Sequence, residues 1–418
     1  MTRARYLWPL VCLLLVACGD KKSTDDTGTP DVSVGDGGTG DKGPWDTLPG
    51  EGLPPDITPD AKPSINKWVT IQDPAPLVED HTVTLLKNGE VLIAGGNKYD
   101  GDDHFQDLAY RFVPSTDKFT DAGKMTSQHG LHTATLLKDG RVLVTGGQSD
   151  TDYLKTTELY DPQKPATQAW TKGPDMFKSR WSHTATLLQN SEVLIAGGFY
   201  SSDVTASLVV YDPVQNNWKV PSAIMAEGRM SHTATLLANG KVIFAGGVQG
   251  SSFASMTWLD SIEIYDPGSG AMVASNVKMS KKRAGHTATL LQNGKVLIVG
   301  GYCGNNCGNG QLVDDIYDPA TDTISPLAHA GDLPSSHVAV KLLDGRVLVA
   351  GDNDKVNYAN VVAYDPKGGG FWSQLPPLPV GRWGGEATIL DDGSVFVVGG
   401  ATESNPYTLT PSAQRYYP

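Results

Sequence analysis

HTATLLANGKVIFAGG, residues His232 to Gly247, occurs seven times along this chain with small changes. The copies start at His81, His132, His183, His232, His286, His337 and Gly385. A period of about fifty residues means one supersecondary unit repeated around a ring or along a rod. The repeat therefore sets the architecture before any single residue is weighed.

In the copy at 229–267, His232 to Leu237 is rich in β-branched and apolar residues and reads as a strand. Asn239-Gly240 follows, suited to a two-residue type I′ turn in which both residues take positive φ. Six copies keep Asn-Gly or Asp-Gly there, and Asn190-Ser191 is the exception. Val242 to Ala245 is apolar without alternation, as expected of a strand covered on both faces. Gly246-Gly247 ends it, and a variable loop leads to a third strand, Ser261 to Tyr265. Asp266-Pro267 turns the chain into a short fourth strand. An aromatic pair spans the last two strands in Tyr211 with Trp218, Tyr160 with Trp170 and Tyr364 with Trp372. Phe112 and Phe119 replace it in the first copy, and Met272 and Ile324 follow Tyr265 and Tyr317.

The Gly-Gly pair, then Tyr, then Trp, in units of about fifty, resembles the kelch repeat. It covers roughly 65–418. The resemblance implies an all-β fold, a seven-bladed kelch-type β-propeller. The last copy stops at Tyr416-Tyr417-Pro418 without a fourth strand, while Asn66-Lys67-Trp68-Val69 precedes the first copy as Asn217-Trp218-Lys219 precedes the fourth. The N-terminal segment 65–71 is therefore expected to supply the outer strand of the last blade, closing the ring and covering a strand edge.

Residues 1–17 read as a leader: Arg3 and Arg5, then an apolar run too short to span a bilayer. Leu15-Val16-Ala17-Cys18-Gly19 resembles the lipobox of bacterial lipoproteins. That resemblance implies lipid on Cys18, multiple acyl chains for stable anchoring, and a place in the bacterial cell envelope, at the outer membrane by the enteric rule. Residues 18–64 are an acidic Asp/Gly/Thr/Pro-rich tether that lacks the apolar surface to fold. The net charge is −13, and no basic stripe is present, which argues against nucleic acid as a partner. Cys303 and Cys307 are expected to form a local disulfide; the alternative, a metal pair, lacks a nearby His.

Chemistry is expected on the variable-loop face, which carries the loops after each Gly-Gly and before each His. The recurring His reads as structural, bonding a neighbouring blade. Three residues before it stand Arg180, Arg229, Arg283 and Arg382, with His129 in the second copy and Val78 and Pro334 in the first and sixth. Two readings stand. These cations form an incomplete ring that grips carboxylates or phosphates, or each makes a blade-to-blade salt bridge with an acid such as Glu158 or Glu263. Asp100 to Asp103 and Asp352 to Asp354 offer oxygens to Ca²⁺ without a recognised ligand spacing, so solvated loops are the plainer reading. Trp181, Trp258, Trp383, Tyr153 and Tyr302 are candidate stacking platforms or blade-packing residues.

The leading expectation is a tethered scaffold that binds a protein or glycan, with no catalytic residue, metal or cofactor assigned. The alternative is a carbohydrate-modifying enzyme. Galactose oxidase carries copper on a similar ring through an adjacent Tyr-His pair and a Cys bonded to Tyr, and this chain has no Tyr-His dipeptide. Sialic-acid mutarotases, also kelch rings, keep the arginine set in play.

Overall fold

The computed structural model describes residues 65–76, 78–99, 103–251, 255–304, 313–328, 336–351, 359–404 and 407–418. The leader, the tether with Cys18, Cys307, Pro334 and the acidic stretches at 100–102 and 352–354 lie outside the described residues. Seven four-stranded antiparallel sheets form the ring, one per repeat. In the fourth blade the strands are Thr233–Leu236, Val242–Ala245, Ser261–Asp266 and Ala271–Lys278, inner to outer. The first strands of successive blades touch all the way round, and the seventh, Glu386–Ile389, meets the first, Thr82–Leu85. They form the wall around the axis.

Every second strand is buried at all four positions, which explains its unbroken apolar sequence. Its alternate side chains enter two different cores, one on each side of the blade. Leu194 and Ala196 pack with Val242, Phe244 and Tyr265 of the next blade, while Val193 and Ile195 pack back against Leu143 and Leu159. Each valine, leucine, isoleucine or phenylalanine so placed contributes about 1.5–3 kcal/mol through burial. The expected cross-strand pairs are all in register: Phe112 opposite Phe119, Tyr160 opposite Trp170, Tyr211 opposite Trp218 and Tyr364 opposite Trp372. Met272 and Ile324 stand opposite Tyr265 and Tyr317.

The ring closes as the repeat count requires. Lys67–Thr70 pairs antiparallel with Ala413–Tyr417 and is the outer strand of the seventh blade. Trp68 lies opposite Tyr416 with ring centroids 5.0 Å apart, and its Nε1 donates to the Pro376 carbonyl of the sixth blade at 2.8 Å. The Tyr416 hydroxyl donates to Asn66 Oδ1 at 2.6 Å.

The Asn-Gly turns differ from expectation. Gly89 has φ 80° but Asn88 is not among the positive-φ residues, so the turn is not type I′. Gly89 N–H donates to Leu86 O at 3.0 Å and Leu86 N–H to Glu90 O at 2.8 Å. This is a three-residue loop: a type I turn followed by a left-handed residue, which explains why glycine is needed once and not twice. Asn88 Oδ1 accepts from Glu90 N–H at 3.1 Å, the second reason for Asn or Asp here. Ser191 takes the glycine conformation at φ 76°.

The repeated histidines join neighbouring blades, as expected. His132 Nε2 is 3.0 Å from Thr82 Oγ1, and the same contact links His183 to Thr133, His232 to Thr184 and His286 to Thr233 at 3.0 Å. His337 meets Thr287 at 2.8 Å. Burial, aided by nearby cations, pushes His81 and His183 down to about 3, and holds His132, His232 and His286 well below the usual value.

Two outcomes follow from this packing. Trp68→Ala removes the latch's anchor and is expected to lower stability by about 3–5 kcal/mol, with a chain beginning at residue 74 losing at least as much; thermal unfolding reads both. The histidines bind protons when unfolded but not in the ring, so stability falls as pH drops through about 6.5, by up to ~1.4 kcal/mol per pH unit for each histidine. Tm measured between about pH 7.5 and pH 5 is expected to decline throughout, and a flat profile would remove the buried neutral histidines from the account.

Candidate functional site: the loop face and the axial channel

The two faces of the ring are built differently. One carries the short turns just described. On the other, where the loops after the glycine pair are described, the chain rises into structures that differ from blade to blade. Hairpins stand at Asn97–Tyr99 with Asp103–Phe105, Phe199–Tyr200 with Asp203–Val204, Val248–Gln249 with Thr257–Trp258, and Ala401–Ser404 with Tyr407–Leu409. Single bridges tie these bases to the segment before the inner strand of the same blade, as in Trp181 with Phe199 and Trp383 with Ala401.

The candidate aromatics serve these bases rather than solvent. Trp181, Trp258 and Trp383 are buried. Trp181 packs on Phe199 at 5.5 Å and on half-buried Tyr153 at 6.3 Å, and Trp258 meets Tyr302 edge-on at 5.8 Å. Cys303 is buried and disulfide-bonded.

The cation set is also interior. Arg180, Arg229, Arg283, Arg382 and His129 are at most 2 % exposed. Each reaches the carbonyl of the first glycine in its own blade, seventeen residues on. Arg180 donates to Gly197 O at 2.9 Å, Arg229 to Gly246 O at 2.7 Å, Arg283 to Gly300 O at 2.9 Å and Arg382 to Gly399 O at 2.8 Å. His129 Nδ1 donates to Gly146 O at 2.8 Å. The second guanidinium nitrogen turns to the third strand: to Ser207 Oγ, Ser412 Oγ, Glu263 at 2.5 Å and Asp315 at 3.2 Å. His129 Nε2 lies 3.2 Å from Glu158.

This corrects both readings of the set. No open guanidinium ring faces the loops, because buried carbonyls already hold the donors. The acid partners, where present, lie within the blade and not across the seam. Arg180 and Arg382 have no acid partner among the described residues and are pushed down to about 10 by burial, still charged near neutral pH.

Glu386 is an ionisable group on an inner strand that departs from the repeat. It begins the seventh inner strand, stands where five of the other blades have threonine, and is exposed to the axial channel. Protein surrounds the channel on every side, and this pushes the carboxyl up to about 7. Its neighbour across the seam, His81, has neither ring nitrogen hydrogen-bonded. The repeat breaks on the other side too: Gly385 replaces His, and the threonine that would meet it is Val338. The seventh copy is thus the one that starts without histidine, and the side chain that faces the channel stands one residue after Gly385.

The copper site implied by the galactose oxidase resemblance does not fit these residues. Five of the six repeated histidines, all but His81, are committed to threonines, and among the described residues no three His, Cys, Asp or Glu side chains gather as metal ligands would.

A family model described as the Attractin/LZTR1 beta-propeller matches residues 66–310. Galactose oxidase of Gibberella zeae is 23% identical over 371 residues, covering 81% of this chain and 53% of its own length, so the chain spans about half of that relative. Human Kelch-like protein 33 is 28% identical over 140 residues, 34% of this chain and 26% of that protein. Among solved structures, a fungal alcohol oxidase in complex with copper superposes with a TM-score of 0.68 at 20% identity, covering 85% of this chain and 77% of that one, a likeness of fold. With the repeat, the seven blades and the matched span in agreement, the chain belongs to the Attractin/LZTR1 beta-propeller family of kelch-type rings.

Proposed function

We propose that the ring is a binding module whose loop face captures a protein or a glycan, held in a bacterial cell envelope by lipid on Cys18. The observation that carries the reading is the contrast between the faces: one uniform turn repeated, against hairpins that differ from blade to blade. The kelch-type relatives support it as a class of binding scaffold.

A second reading is a carbohydrate-modifying enzyme of oxidase or mutarotase type. Its support is the lone channel carboxyl, Glu386, and the names of two relatives, a galactose oxidase and an alcohol oxidase.

One experiment separates them. Glycan and peptide arrays are probed with the full chain, with a variant in which residues 199–204 are cut to a short turn, and with a turn-face control, Asn239→Asp. The binding reading expects selective recognition that the hairpin variant loses about tenfold or more and the control keeps. Equal binding by all three overturns it. So does peroxide release from galactose or a primary alcohol by the copper-supplied protein, or sugar anomerisation that Glu386→Gln abolishes.

The anchor is tested separately. Cys18→Ala is expected to move the protein from the membrane to the soluble fraction of a bacterial host and to end labelling by a clickable palmitate. Unchanged membrane recovery would sink the anchor and leave the loop-face reading untouched.

A further inference from the structure

The cation cage repeats around the ring, and the first blade leaves it empty. In the second to fifth and seventh blades, Arg or His fills a slot between the first glycine carbonyl and the third strand. The same slot in the first blade has Val78, with Gly95 seventeen residues on. Strand register fixes the other walls. Leu108, whose carbonyl accepts from Gly95 N–H, occupies the place of Ser207 and Ser261, whose carbonyls accept from Gly197 and Gly246. Tyr110, opposite Ile93, occupies the place of Glu263, opposite Phe244, and of Glu158, opposite Val144.

These same positions line a cleft of about 480 Å³. The volume lies within the roughly 300–1,000 Å³ usual for ligand pockets and exceeds what one guanidinium fills. Val78 and Ile93 form a buried floor, while Pro74, Thr120 and Asp121 are exposed at the rim. Phe119 supplies an aromatic wall beside Tyr110. Two carboxylates, Asp73 and Asp121, face one lysine, Lys98, among the described lining residues. Asp73 is taken up by Phe119 N–H at 2.7 Å and Lys118 at 3.1 Å, and one oxygen of Asp121 by Gly123 N–H at 2.8 Å.

We propose that this cleft binds an arginine side chain presented by a peptide or protein partner, which supplies from outside the cation that the other blades supply from within. The guanidinium donates to the carbonyls of Gly95 and Leu108, the acceptors whose counterparts take Arg180 and Arg229 in their own blades. Its plane lies against the Tyr110 and Phe119 rings, as guanidinium groups favour, and Asp121 offers charge at the rim. The remaining volume admits the flanking residues of the partner. The site is independent of the loop-face reading, since the hairpin at 199–204 contributes nothing to it.

The test titrates N-acetyl-arginine amide, its neutral citrulline analogue and N-acetyl-lysine amide into the full chain, followed by NMR or calorimetry. Saturable binding of the arginine compound is expected, weaker by about tenfold or more for citrulline because the charge-assisted hydrogen bonds are lost. Val78→Arg fills the cage from within and is expected to abolish binding while Tm stays equal or rises. Asp121→Asn, an exposed change that keeps the bond to Gly123, is expected to weaken arginine several-fold and serves if Val78→Arg fails to fold. No saturation by arginine, equal binding of citrulline, stronger binding of lysine, or arginine affinity unmoved in Val78→Arg and Asp121→Asn would each overturn the proposal.

Discussion

The ring depends on one backbone hydrogen bond, made where each second strand ends. The N–H of the second glycine donates to a carbonyl on the next blade: Gly96 to His129, Gly147 to Arg180, Gly198 to Arg229, Gly247 to Arg283 and Gly400 to Val78, at 2.7 to 3.0 Å. The approach leaves no room for a side chain. A Cβ on the first glycine would sit 2.2 to 2.7 Å from that same carbonyl at Gly95, Gly146, Gly197, Gly246, Gly351 and Gly399. The left-handed backbone there adds a second reason for glycine. Four of the five carbonyls that accept the bond belong to the residues whose side chains then brace the first glycine of their own blade. Contact passes from blade to glycine to blade as a relay, and buried groups that would be costly unpaired are satisfied by one another.

That relay explains what was legible and what was not. Strands, blade count and latch could be read because period, apolar runs and the Trp68-like fragment at the N-terminus are local signals. Turn type was misread because Asn-Gly suits two hairpins, and only the backbone tells whether one residue or two turns left-handed. The arginines were misplaced for a different reason. A cation before an inner strand carries no mark of whether it faces out or in. The missing signal was the constant interval of seventeen residues to a glycine, since a side chain serving solvent has no cause to keep step with a buried carbonyl. Trp181, Trp258 and Trp383 follow the same logic, because a hairpin base needs an apolar footing as much as a ligand needs a platform.

A repeated relay gives its departures meaning. Where a partner is lost alone, a buried polar atom is stranded at a cost of about 1–3 kcal/mol. The sixth and seventh blades avoid this by changing both sides at once: Val338 removes the hydroxyl and Gly385 the imidazole. That paired loss is what packing requires and needs no ligand to explain it. His81 is the opposite case, a buried ring whose hydroxyl partner has been replaced by a carboxylate turned into the channel.

Among the described residues, three uncompensated departures share one place. Val78, His81 and Glu386 all lie where the seventh blade meets the first, the seam that the latch strand 67–70 closes. Every other seam is spanned by continuous chain. This one is held by Trp68 and Tyr416 and by the pairing of two chain ends, so its interior positions are released from the repeat. Once the latch carries the closing of the ring, a cation cage can be left unfilled and a carboxylate set on the axis without opening the blades. Asymmetry in a ring of equal blades needs such a seam, and the strand pairing that makes the ring stable also leaves this seam free to differ from the rest.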